Sequence, residues 1–121
     1  MSKILLVEDD NWFAHQQMRI LSAAGHDVMR VSDAQSAIDA VEHTAPQAVV
    51  LDILLIYNTA FALLHELQSY QETSTLPVVV YTTQAEALDD TSLKPYGVHA
   101  ILDKTTMHPI DTVRALARLG L

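Results

Sequence analysis

The sequence contains no cysteine among its 121 residues, which excludes a disulfide framework, a thiol nucleophile and a zinc–thiolate centre. Basic residues are also few. Lys3, Arg19, Arg30, Lys94, Lys104, Arg114 and Arg118 are scattered, and the formal charge of −8 disfavours non-specific nucleic-acid binding. No long hydrophobic run is present: the N-terminal one, Ile4-Leu5-Leu6-Val7, stops at Glu8. That is neither a signal peptide nor a membrane span, so a cytoplasmic chain with no membrane partner is expected. Repeats, low-complexity tracts and linkers are absent as well. His15, His26, His43, His99 and His108 show no i, i+4 pairing, so a zinc site is not expected either.

What is present is half apolar, enough for one globular domain over residues 1–121. Short apolar runs read as buried strands at 4–7, 28–31, 48–52, 78–81 and 98–102. Helical patterns lie between them. The first starts at Asp10 or Asn11 as N-cap and stops at Gly25. Ser32 and Gln35 suggest a capping box for the second, which turns Ala34, Ala37, Ile38 and Val41 inward. The third is capped by Asn58 or Thr59 and faces in with Phe61, Leu64 and Leu67. Residues 84–96 form the weakest helix, since 89–92 hold poor helix formers and Pro95 ends whatever forms. Pro109 opens the last, with Ile110, Val113, Leu116 and Ala117 inward. Five strands alternating with five helices imply an α/β fold, a doubly wound parallel sheet with right-handed crossovers. Strand order 2-1-3-4-5 puts strands 1 and 3 side by side at the switch point.

That order brings Glu8, Asp9 and Asp52 to one edge, with Thr82 and Lys104 arriving from strands 4 and 5. Three neighbouring carboxylates repel one another and either raise a pKa or recruit a hard cation. Oxygen ligands with room for water suit magnesium. A lysine and a hydroxyl suit phosphoryl oxygens, and a carboxylate can act as the nucleophile that forms an aspartyl-phosphate.

Four segments then match one family in order and spacing: Ile4-Leu5-Leu6-Val7-Glu8-Asp9-Asp10, Val49-Val50-Leu51-Asp52, residues 77–82, and Asp103-Lys104. Over essentially its whole length the chain resembles a receiver domain of bacterial two-component response regulators, with the CheY-like three-layer fold. The resemblance implies that Asp52 is the phospho-acceptor and that Glu8, Asp9 and the backbone carbonyl of Leu54 hold magnesium beside it. It implies that Thr82 and Lys104 bind the phosphoryl group, and that Leu54 and Gln84 flank it and set its lifetime. The expected partners are a histidine kinase or phosphotransfer protein and an unknown downstream protein. The expected state is a monomer or a phosphorylation-dependent dimer. Helix 1 carries kinase docking in this family, which makes Trp12, His15 and Gln16 candidates, with Ile56 and Tyr57 a further partner patch. The output face expected from the family comprises the fourth helix, the fifth strand and the last helix.

Some positions depart from the family pattern. Ile56-Tyr57 and Ala60 replace a Pro-Gly and a later Gly, and Thr83 replaces a smaller residue. Thr105 replaces a proline, and Ile101 replaces the switch aromatic three residues before the lysine. These departures support an alternative reading, an atypical receiver that acts as a phosphorylation-independent interaction module. An aspartate phosphatase would want a second carboxylate where Leu54 stands. An apolar Leu54 also cannot position an attacking water, so a phospho-acceptor switch with slow self-dephosphorylation is expected rather than an enzyme. His65-Glu66-Leu67 is similar to the core of a histidine-kinase phosphoacceptor box, but that box needs a long helical hairpin. The chain is expected to act as a stand-alone receiver; no DNA-binding segment is recognised, so output is expected through a protein contact, a phosphorelay step or a domain outside this sequence.

Overall fold

The computed structural model describes residues 2–53, 60–71, 73–83 and 93–121, with backbone alone at Ala60 and Phe61. Strands β1 (Lys3–Val7), β2 (Asp27–Val31), β3 (Ala48–Asp52), β4 (Val78–Thr82) and β5 (Val98–Asp103) alternate with helices α1 (Asn11–Ala23), α2 (Ala34–Thr44), α3 (Ala60–Ser69) and α4 (Asp111–Arg118). All five strands are parallel, in the order β2-β1-β3-β4-β5. The expected fourth helix falls mainly on residues 84–92, outside the described residues; a 3-10 turn, Lys94–Tyr96, leads from there into β5. Among the described residues no helix is long and apolar enough to cross a membrane, and no peptide bond is cis.

The central strands are apolar on both faces because both faces are covered. Every residue of β3 and of β4 is buried. Alternation along the strands divides the core into two. Leu5, Val7, Val49, Leu51, Val78 and Val80 pack with Ala37 and Val41 of α2 and with Leu63, Leu64 and Leu67 of α3. Ile4, Leu6, Val50, Val79 and Tyr81 pack on the other side with Ala14 and Leu21 of α1 and Ala115 and Leu116 of α4. Each such large side chain contributes about 1.5–3 kcal/mol. Gly97, at φ +79, turns the chain into β5, and a Cβ there would stand 2.9 Å from the Leu76 carbonyl oxygen, so both conformation and space require glycine.

Two local expectations are corrected. The cap of α2 is Asp33, not Ser32: its carboxylate accepts from the Ser36 N–H at 2.8 Å and the Ser36 hydroxyl at 3.0 Å. A charged cap is further favoured by the helix dipole. In α4 the buried residues are Thr112, Ala115 and Leu116, while Ile110 is 46% exposed and Ala117 faces out. The helix is rotated by a buried polar pair. The Thr112 hydroxyl donates to Gln17 Oε1 at 2.5 Å, and Gln17 Nε2 donates to the Pro109 carbonyl at 3.1 Å. A polar side chain goes inside when it finds its partner there. On α3, Leu63 joins Leu64 and Leu67 in the core; its expected caps at Asn58 or Thr59 lie outside the described residues, as does the Phe61 side chain.

Candidate functional site

Four strands, β1, β3, β4 and β5, deliver the site to the carboxyl edge of the sheet. β1 ends at Val7 with its apolar register spent, and the next residue, Glu8, is fully buried. The Glu8 N–H donates to the Val31 carbonyl at 3.0 Å, so the turn into α1 continues the β1–β2 ladder. Asp10 then caps α1, its Oδ1 accepting from the Trp12 and Phe13 N–H groups. From β2, Arg30 donates to the Glu8 carbonyl at 3.0 Å and to Asn11 Oδ1 at 2.9 Å, fixing the same turn. Asp52 ends β3 opposite Tyr81 of β4 and is 5% exposed. Thr82, fully buried, ends β4, and its carbonyl accepts from the Lys104 N–H at 2.8 Å.

The side chains converge. Glu8, Asp9 and Asp52 each offer a carboxylate oxygen, all within 4.8 Å of one another. The Lys104 ammonium lies 2.9 Å from Glu8 Oε1 and 3.2 Å from Asp52 Oδ2. Lys104 thus pairs with both carboxylates, and the shorter contact is to Glu8. Glu8 Oε1 also accepts from the Tyr81 hydroxyl at 3.0 Å, and Oε2 accepts from the Asp10 N–H at 3.1 Å. Lys104 stands 4.3 Å from the centroid of the Phe13 ring and 5.4 Å from that of Tyr81, and the two rings are 5.0 Å apart.

The electrostatics arise from burial. Loss of water pushes the Glu8 carboxyl above the usual carboxylate range, although Lys104 and the Asp10 N–H pull it down. Burial works against the Lys104 ammonium, but Glu8 and Asp52 outweigh it and hold its pKa above that of a free lysine. Burial and the Glu8 charge push the Tyr81 phenol far up, so it remains a donor. Three carboxylates against one ammonium leave two negative charges within a few ångströms. The donors are all hard oxygens, and Asp9 is only half-buried, which leaves solvent access on its side. That donor set and that charge fit a small dication such as magnesium.

The remaining candidates divide. Trp12, 72% exposed, and Gln16 line a cavity of about 420 Å³ together with Thr83, Lys104 and Met107. His15 is exposed on the same helix. Ile101 is half-buried against the first core cluster. Leu54, Ile56, Tyr57 and Gln84 lie outside the described residues. Sequence reasoning passed over Tyr81 and Arg30. The signal for Tyr81 was available: a tyrosine in the apolar run Val78-Val79-Val80, whose hydroxyl requires a partner when buried.

The sequence model of the response regulator receiver domain family matches residues 4–116. The chain belongs to that family. Among curated relatives, the receiver is 26% identical over 111 residues to protein PilH of Pseudomonas aeruginosa, spanning 92% of this chain and 88% of PilH. It is 30% identical over 117 residues to the response regulator MprA of Mycobacterium sp. strain KMS, covering 97% of this chain and 48% of MprA. It therefore spans about half the length of the MprA regulators it matches. Among solved structures it resembles the receiver domain of sensor histidine kinase PA1611 from Pseudomonas aeruginosa. That match has a TM-score of 0.84 and 23% identity over 97% of this chain and 95% of that one. The PA1611 structure has a magnesium ion coordinated in its active-site cleft.

Proposed function

We propose that this receiver accepts a phosphoryl group on Asp52 from a histidine kinase or a phosphotransfer protein, and that the modified carboxyl biases a conformational equilibrium read by a downstream protein. The observation that carries this reading is the Lys104 ammonium 3.2 Å from Asp52, inside a cluster of three carboxylates. In the transfer, an Asp52 carboxylate oxygen forms a bond to phosphorus as the bond from phosphorus to the donor's imidazole nitrogen breaks. The nitrogen keeps the electron pair and takes up a proton from solvent. Lys104 then turns to the phosphoryl oxygens, and the Thr82 hydroxyl donates to another. Glu8, Asp9 and Asp52 would hold the magnesium, with the Leu54 carbonyl as a further ligand. When bound, the cation offsets charge on both carboxylate and phosphoryl group. The magnesium reported in the PA1611 receiver supports that assignment.

The chain is proposed as a switch, not a turnover catalyst: a phosphoryl group shifts a two-state equilibrium only by its differential interaction with the two states. The test is intact mass after incubation with a small-molecule acyl phosphate and magnesium. Wild type should gain one phosphoryl group and Asp52→Ala none. An unmodified wild type would favour the phosphorylation-independent interaction module, to which the Ile101 position lends support.

A further inference from the structure

We propose that Tyr81 is a positioning residue: its hydroxyl keeps Glu8 satisfied while Lys104 leaves Glu8 for the phosphoryl group. This inference rests on the function proposed above and assigns a part to a residue outside the acidic cluster, the threonine and the lysine. Glu8 has no exposed surface, so solvent cannot replace a donor that moves away. Its Oε1 has two donors, Tyr81 at 3.0 Å and Lys104 at 2.9 Å. Lys104 alone of the two also reaches Asp52. Transfer to a phosphoryl oxygen on Asp52 draws the ammonium off Glu8, and the Tyr81 hydroxyl stays behind. Without that hydroxyl, the same movement would leave Glu8 Oε1 with no hydrogen-bond donor from the protein, and its desolvation would then be offset by the cation alone. Lys104 would then remain with Glu8.

The surroundings fix Tyr81 in this part. Its side chain is wedged in the second core cluster, and its ring meets Phe13 at 5.0 Å with the planes inclined at 47°. The hydroxyl therefore cannot move with Lys104. The ammonium, by contrast, is bounded by the Phe13 face at 4.3 Å, a contact that attracts a cation without fixing it to one acceptor. One donor is anchored and the other is free to change partners.

The variant Tyr81→Phe keeps the ring and deletes only the hydroxyl. Magnesium binding is measured by calorimetry with the metal alone, and the phosphoryl-bound state by titrating beryllium fluoride at saturating magnesium. We expect the magnesium dissociation constant to stay within about twofold, while half-saturating beryllium fluoride rises about tenfold. In a Lys104→Ala background, Tyr81→Phe should change neither value, because the donor whose departure it supports is gone. Three results would overturn the proposal: unchanged beryllium fluoride binding in Tyr81→Phe, equal weakening of both ligands, or the same loss with Lys104 absent.

A measurement on wild type is independent of how the variant folds. On adding magnesium and beryllium fluoride, the Lys104 side-chain ammonium resonance should move while the Tyr81 Cζ resonance holds. Movement of Tyr81 Cζ to the value of a free phenol would also overturn the proposal. Wild type that binds neither probe would sink the functional reading itself, whereas a Tyr81→Phe protein that matches a binding-competent wild type sinks this inference alone.

Discussion

The two sides of the sheet are built differently. The side covered by α2 and α3 is filled mainly by aliphatic side chains, from Leu5 and Val7 to Leu64 and Leu67. The side covered by α1 and α4 carries polar groups in its interior: Gln17 paired with Thr112, and the Tyr81 hydroxyl on Glu8. An apolar contact is non-directional and tolerates small shifts, whereas a buried hydrogen bond fixes distance and angle. The first side supplies stability. The second supplies stability too, but it also holds Glu8 and Lys104 in place.

The comparison is sharpened first by Leu64→Ala, which removes a fully buried side chain and should lower unfolding free energy by about 2–5 kcal/mol. Denaturant unfolding measures the loss, and magnesium calorimetry on the folded protein should be unaltered. Next, Thr112→Val keeps the shape but leaves Gln17 Oε1 without its donor, which should cost about 1–3 kcal/mol. Here the site should respond, because Gln17 also holds the Pro109 carbonyl and Pro109 lines the cavity shared with Lys104. Chemical-shift changes at Lys104 in Thr112→Val and not in Leu64→Ala would uphold the contrast. Equal changes in both would break it.

The smallest effect is at the α2 cap, where Asp33→Ala should cost about 1 kcal/mol. Hydrogen bonds from Ser36 hold the Asp33 carboxyl below the ordinary value of 3.8. Its contribution is therefore complete above that value and disappears as pH falls through the lowered pKa. Thermal unfolding of wild type and variant should converge in strong acid. A difference that persists there would mean that the cap acts through something other than its charge.

The strands were legible in the sequence because a sheet buried on both faces leaves uninterrupted apolar runs, and the run ending at Asp52 points its carboxylate at the edge where chains of this topology gather their chemistry. The meeting of residues 8, 52 and 104 comes from strand order alone. What escaped was set by pairs distant in sequence. Thr112 reads as an outward residue until Gln17, 95 positions earlier, is seen to receive it. Ile110 then looks inward by periodicity and is displaced by that exchange. The α2 cap slipped by one residue because a serine and an aspartate stand side by side, and only geometry decides which faces the helix. Tyr81 reads as one more residue of the strand at 78–81, and its partner, Glu8, is 73 residues away.

The sequence contains a single tryptophan, and Trp12 stands at the rim of the cavity that also holds Lys104. Any emission excited at the red edge of protein absorbance therefore originates from one indole in the cavity that Lys104 also lines. The molecule carries its own optical gauge, and rapid-mixing fluorimetry would follow the proposed metal entry and acyl-phosphate formation in real time without a dye or a label.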